Sequence, residues 1–149
     1  MAGEVLVDTN VLVYAYDRTE PGKQRRALDT LRRLVSSGRG RLSAQVLAEF
    51  FRAATSKIRA PLSSADAYGQ VAALIRAWPV LPITSLVVLE AARGVRDHRL
   101  AYWDAQVWAT ARLNQIAVVL SEDFTDGHVV DGVRFLNPFS RAFDLASIG

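Results

Sequence analysis

Residues 116–120, Ile-Ala-Val-Val-Leu, form an unbroken apolar run between Gln115 and Ser121. A strand with one face in water alternates polar and apolar side chains, so a run without a polar face must be covered on both sides. Parallel sheets meet that demand, because their helical crossovers pack above and below. The remaining segments agree. Residues 4–8 read as a second such strand that stops at Asp8, Thr9 and Asn10, a polar trio suited to capping a short helix over 11–16. Pro21 sits where a first helical turn tolerates it and opens a helix ending near Ser37. Arg41 and Leu42 are a minimal strand, and Ser43 caps a helix to about Ile58 with one apolar stripe at positions 46, 47, 50, 51, 54 and 58. Ser63, with Asp66 three residues on, opens a helix that ends near Trp78 and Pro79. A short strand at 80–83, a helix from Thr84 to about Arg96 and another over 102–114 follow. The turn-rich remainder from Ser121 offers one more strand at 133–136. Strands alternating with helices predict an α/β fold, a three-layer α/β/α sandwich around a short, mainly parallel sheet of four or five strands. With 149 residues and no repeat, linker or low-complexity stretch, the expectation is a single domain over 1–149.

A chain of this length buries about two-thirds of its unfolded surface and can hold a core without disulfides or a structural metal. It has no cysteine. The apolar runs fall far short of the roughly 20 residues that span a bilayer, and the first residues carry acids rather than a basic leader and a long apolar stretch. The expected setting is therefore cytoplasmic, with no membrane partner. Lys+Arg number 18 against 15 Asp+Glu, a net +3, and only Lys23 and Lys57 are lysines. Arginine's planar, permanently charged fork suits phosphate and carboxylate partners. A GC-rich genome produces the same bias, so composition permits a nucleic-acid partner without requiring one.

In such sheets, ligands gather outside the carboxyl ends of strands, where strand order switches. Asp8 lies at one such end, and Glu122, Asp123 and Asp126 follow another. Taken alone, Asp8 reads as a helix cap, Glu49 as a surface ion-pair partner of Arg52, and Asp123 as a turn or cap residue. Asp104 shares a helical face with Val107, Trp108 and Ala111 and points inward, where a carboxylate needs an arginine, a donor or a metal. Independent caps have no reason to converge on one side of a sheet. Two carboxylates about 5 Å apart repel by about 3 kcal/mol at an effective dielectric near 20, so a convergent group needs a cation. Oxygen ligands without cysteine or a histidine cluster select Mg2+ or Mn2+ over zinc, and His98 and His128 read as incidental.

Four segments, in order and over nearly the whole length, carry a family likeness: Val5-Leu-Val-Asp-Thr-Asn-Val-Leu-Val-Tyr14, Ser43-Ala-Gln-Val-Leu-Ala-Glu-Phe-Phe51, Tyr102-Trp-Asp-Ala-Gln-Val-Trp-Ala-Thr-Ala111 and Leu120-Ser-Glu-Asp-Phe-Thr-Asp-Gly127. Together they resemble the PIN-domain ribonucleases and, within them, the VapC-type toxins of bacterial toxin-antitoxin pairs. The resemblance implies that Asp8, Glu49, Asp104 and Asp123 are catalytic, metal-binding acids, with Asp126 an accessory metal ligand. It also implies that Asn10 and Ser121 orient those carboxylates. The implied activity is Mg2+- or Mn2+-dependent hydrolysis of RNA without a covalent intermediate, leaving a 3'-hydroxyl and a 5'-phosphate. The implied partners are a small VapB-like antitoxin with a segment reaching the active site and a second copy of the toxin.

Setting aside the five candidate acids leaves 10 acids against 18 basic residues, about +8 for the remainder, which suits an RNA backbone. Tyr14, Tyr16, Tyr102 and Trp103 lie beside the motifs; they are read mainly as core, with stacking on an unpaired base as the other option. Two rivals remain. A phosphatase of the haloacid-dehalogenase type also begins with an acid after an apolar strand, but needs a second Asp where this chain has Asn10. A non-catalytic RNA-binding PIN-like protein or a receiver-like regulator needs fewer acids than the four present.

Overall fold

The computed structural model describes residues 3–148. Strand β1 (Val5–Val7) is buried at every residue, and its side chains divide between two cores: Val5 and Val7 enter one, Leu6 the other. Strand β4 (Val118–Leu120) repeats the pattern, with Val118 and Leu120 on the first side and Val119 on the second. The period of two thus places apolar groups on both faces of the same strands, as the 116–120 run requires.

Helices α1 (Thr9–Ala15), α2 (Pro21–Ser37), α3 (Ala44–Ser56) and α4 (Ser64–Ala77) supply side chains to the first core. Helices α5 (Ser85–His98) and α6 (Tyr102–Leu113) fill the second. Strands β2 (Gly40–Ser43), β3 (Val80–Leu81), β5 (Val129–Val130) and β6 (Val133–Leu136) complete the sheet, ordered β3-β2-β1-β4-β6-β5. Every pairing is parallel except β5 with β6. This is the expected three-layer α/β/α sandwich. From β1 the chain moves outward to β2 on one side, while β4 lies on the other, so the switch in strand order falls between β1 and β4.

The sheet has six strands rather than four or five. The extra strand is β5, joined to β6 by Asp131 and Gly132, both at positive φ (45° and 81°) as a two-residue type I' hairpin turn requires. Other elements differ at their ends for local reasons. β3 stops at Leu81 instead of residue 83 because Pro82 has no N–H for the ladder. β4 begins at Val118 because Ile116 donates its N–H to the Ala111 carbonyl, closing the C-terminus of α6. α1 begins at Thr9, two residues early, because the Asp8 carboxylate caps it.

The stripe on α3 is core at Val46, Leu47, Phe50 and Ala54; Phe51 is half-buried, and Ile58 lies beyond the helix. Each fully buried Leu or Phe is worth about 1.5–3 kcal/mol relative to exposure. Trp108 is the largest fully buried side chain, and its indole N–H donates to the Val130 carbonyl at 3.0 Å. Gly94 admits it, since a Cβ there would stand 2.7 Å from the ring.

Candidate functional site

At the switch between β1 and β4, the Asp8 N–H donates to the Leu120 carbonyl, so Asp8 and Ser121 end adjacent strands side by side. Each Asp8 oxygen is held: Oδ1 accepts from the Thr9 N–H at 2.8 Å and Oδ2 from the Ser121 hydroxyl at 2.7 Å. Ser121 Oγ accepts in turn from Asn10 Nδ2 and from the Asp123 N–H, both at 3.1 Å, while Asn10 Oδ1 takes the Glu122 N–H. The fully buried serine therefore ties β1, α1 and the loop after β4 around one carboxylate. Lys23 of α2 braces that loop through Glu122 at 2.6 Å, and Tyr14 donates to the same carboxylate.

Glu49 does not pair with Arg52. Its Oε2 accepts from the Thr9 hydroxyl at 2.9 Å and its Oε1 from Gln45 Nε2 at 2.8 Å. Gln45 is buried and uses its second amide hydrogen on the Trp103 carbonyl at 3.0 Å. Its own oxygen accepts from Gln106 Nε2 at 3.1 Å, and Gln106 accepts from the Tyr102 hydroxyl. Thr9, Gln45 and Gln106 escaped the sequence reading. The available signals were a glutamine one turn before Glu49 and a lone polar residue between Ala105 and Val107.

Asp104 is half-buried at the start of α6, and Asp123 is exposed in the loop after β4. Neither carboxylate has a hydrogen-bond partner among the described residues. Burial pushes the Asp8 carboxyl up to about 6, against the hydrogen bonds from Ser121 and Thr9, and the charges of Asp123 and Glu49 push it further. Burial also raises Asp104, again with Asp123 and Glu49 adding to it. The four acids therefore share one negative field, and no basic group enters the balance at Asp8 or Asp104.

This donor set is all oxygen and short of positive charge, which fits a hard divalent cation. Asp8 and Glu49 are fixed by hydrogen bonds, whereas the Asp104 and Asp123 carboxylates make none among the described residues. As the side chains stand, no three His, Cys, Asp or Glu among the described residues are placed to hold one ion.

Asp126 stands apart. Its Oδ1 accepts from the Asn137 N–H at 2.9 Å, and it lines a different cleft, of about 340 Å³, with Arg39, Arg134 and Asp144. Glu49 and Asp123 instead line a cleft of about 770 Å³ with Thr9, Asn10, Gln45 and Gln106. Trp103, read with Tyr14, Tyr16 and Tyr102 as mainly core, is exposed and lines this cleft.

Residues 5–125 match the family described as PIN domain. No curated protein sequence matches significantly. Among solved structures, a toxin-antitoxin complex from Klebsiella pneumoniae is similar at TM-score 0.65 and 16% identity, covering 91% of this chain and 98% of that one. VapC20 of Mycobacterium tuberculosis, a sarcin-ricin-loop-cleaving toxin, is similar at TM-score 0.60 and 19% identity over 88% and 99%. DNA-bound VapBC from Salmonella typhimurium is similar at TM-score 0.61 and 17% identity over 91% and 98%. At such identities these likenesses speak to the fold.

Proposed function

The chain belongs to the PIN-domain family, and from that premise we propose that it is a Mg2+- or Mn2+-dependent endoribonuclease of the VapC type, a single PIN domain over 1–149. The observation that carries the reading is the set Asp8, Glu49, Asp104 and Asp123 at the switch in strand order, where burial first, and the charges of Asp123 and Glu49 after it, raise proton affinity at Asp8 and Asp104.

In this reading Asp8, Glu49, Asp104 and Asp123 would hold the metal, which when bound would supply an activated water and offset charge on the scissile phosphate. Ser121 and Thr9 keep the Asp8 oxygens directed, and Thr9 and Gln45 do the same for Glu49. Asn10 positions Ser121 and ties down the Glu122 N–H, so it acts through the loop that carries Asp123. Asp126, engaged at Asn137, is left a structural part. In this reading no side chain is required as a covalent nucleophile.

The solved toxin-antitoxin complexes of the same fold support a VapB-like antitoxin as the partner, and a homodimeric toxin is part of the same proposal. Among the described residues no helix is long and apolar enough to cross a membrane, and an RNA substrate suits the cytoplasm.

The test is cleavage of single-stranded RNA by purified protein with Mg2+. Asp8→Asn and Asp104→Asn abolish cleavage while circular dichroism shows an unchanged fold. Equal cleavage by the wild type and both variants would sink the assignment.

A further inference from the structure

The cleft beside the carboxylates extends past them, and its outer part has no task in the site described so far. Along α3 it is lined by Glu49, Arg52, Ala53 and Lys57. At a rise of about 1.5 Å per residue, this wall passes from acid to base within about 12 Å. Arg52 and Lys57 are exposed and make no ion pair among the described residues. Trp103 of α6 lines the same cleft with 62% of its surface exposed, while Trp78 and Trp108 show 6% and 0%.

This indole stands in the first turn of α6, and the backbone that carries it is held. The Trp103 backbone carbonyl accepts from Gln45, whose other amide hydrogen lies on Glu49, and the Tyr102 ring stands edge-on to the indole at 5.0 Å and 83°. One buried amide therefore ties the backbone at Trp103 to the Glu49 carboxylate. The other aromatics beside the motifs are engaged. Tyr14 packs on Phe139 and donates to Glu122, Tyr16 packs on Phe50 and donates to Gln70, and Tyr102 donates to Gln106.

We infer that Trp103, Arg52 and Lys57 form a nucleotide subsite beside the carboxylates, where Trp103 stacks an unpaired base of single-stranded RNA and the two basic side chains hold backbone phosphate. The choice of RNA rests on the nuclease reading above. Stacking on an exposed indole demands a base free of its own duplex neighbours, so the subsite selects loops and single strands over paired RNA. A cleft of about 770 Å³ falls within the usual size of small-ligand sites, so it accommodates a nucleotide unit rather than a helix.

The test is titration of the protein with a single-stranded RNA oligonucleotide in EDTA, read by fluorescence anisotropy and tryptophan quenching. Trp103→Ala weakens binding about 5- to 100-fold and removes most of the quench, while Trp103→Phe restores most of the affinity. Arg52→Ala and Lys57→Ala each lower the slope of log affinity against log salt by about 0.7. Wild-type affinity in Trp103→Ala, or an unchanged salt slope in both basic variants, overturns the subsite. The two readings fail separately. Binding that depends on Trp103 in a protein that cleaves no RNA with Mg2+ removes the nuclease and keeps the subsite. Cleavage with kcat/KM unchanged in Trp103→Ala keeps the nuclease and removes the subsite.

Discussion

Asp8→Asn separates the stability of the metal-free protein from its activity. The Asp8 carboxyl ionises at about 6 in the folded chain against an ordinary 3.8, chiefly because burial removes its water. A raised folded value means that the native state holds this proton more tightly than the unfolded chain does. The associated stability is fully present below about pH 4 and is lost as pH climbs through about 6. About two units at about 1.4 kcal/mol each make roughly 3 kcal/mol of destabilisation near neutrality. Asparagine carries no charge, but it offers one acceptor oxygen where Asp8 satisfies two donors, the Thr9 N–H and the Ser121 hydroxyl. Leaving one buried donor unpaired costs about 1–2 kcal/mol. The variant is therefore more stable than the wild type by about 1–2 kcal/mol near pH 8 and less stable by a similar amount near pH 4. Urea unfolding in EDTA, followed by circular dichroism across that range, reads the difference directly. A difference that does not vary with pH would refute the burial argument, as would a variant that is the weaker protein throughout.

Mg2+ raises the melting temperature of the wild type by mass action on the native state, more near pH 8 than near pH 5, because Asp8 must lose its proton to bind; calorimetry showing the larger shift in acid would contradict this. Gly94→Ala drives a Cβ to 2.7 Å from the Trp108 ring; it destabilises by about 1–2 kcal/mol in denaturant titration even after the gain in helix propensity. Lys23→Ala removes a partly exposed ion pair with Glu122 and costs about 1 kcal/mol or less, read as a small thermal shift.

The architecture was legible in the sequence wherever one local rule decided the outcome. The 116–120 run demanded cover on both faces, and Ser43, Ser63 and Thr84 cap their helices as read. Asp8 caps α1 as read, with one oxygen on the Thr9 N–H, while the other meets Ser121 from the adjacent strand end, a contact that no local rule foretells. The strand at Val129–Val130 went unread although Asp131 and Gly132 carry the hairpin signal, because two residues show no alternation to detect. Gln106 was hard to single out for a different reason. α6 is buried all round from residue 105 to 111, so its polar members cannot be sorted from its apolar ones by helical period, and the partner of Gln106, Gln45, lies on α3. Their pairing joins residues 61 apart, a relation that only the folded chain displays.

The sheet ends in β3 at one edge and β5 at the other, each two residues long. Either margin exposes only a couple of unpaired backbone groups, too few to template an incoming strand. Copies of the chain are thereby discouraged from joining sheet to sheet into fibres, and a binding protein finds no ladder to extend. Recognition by other macromolecules is left to helix surfaces and side chains, which are slower to aggregate and more selective about what they accept.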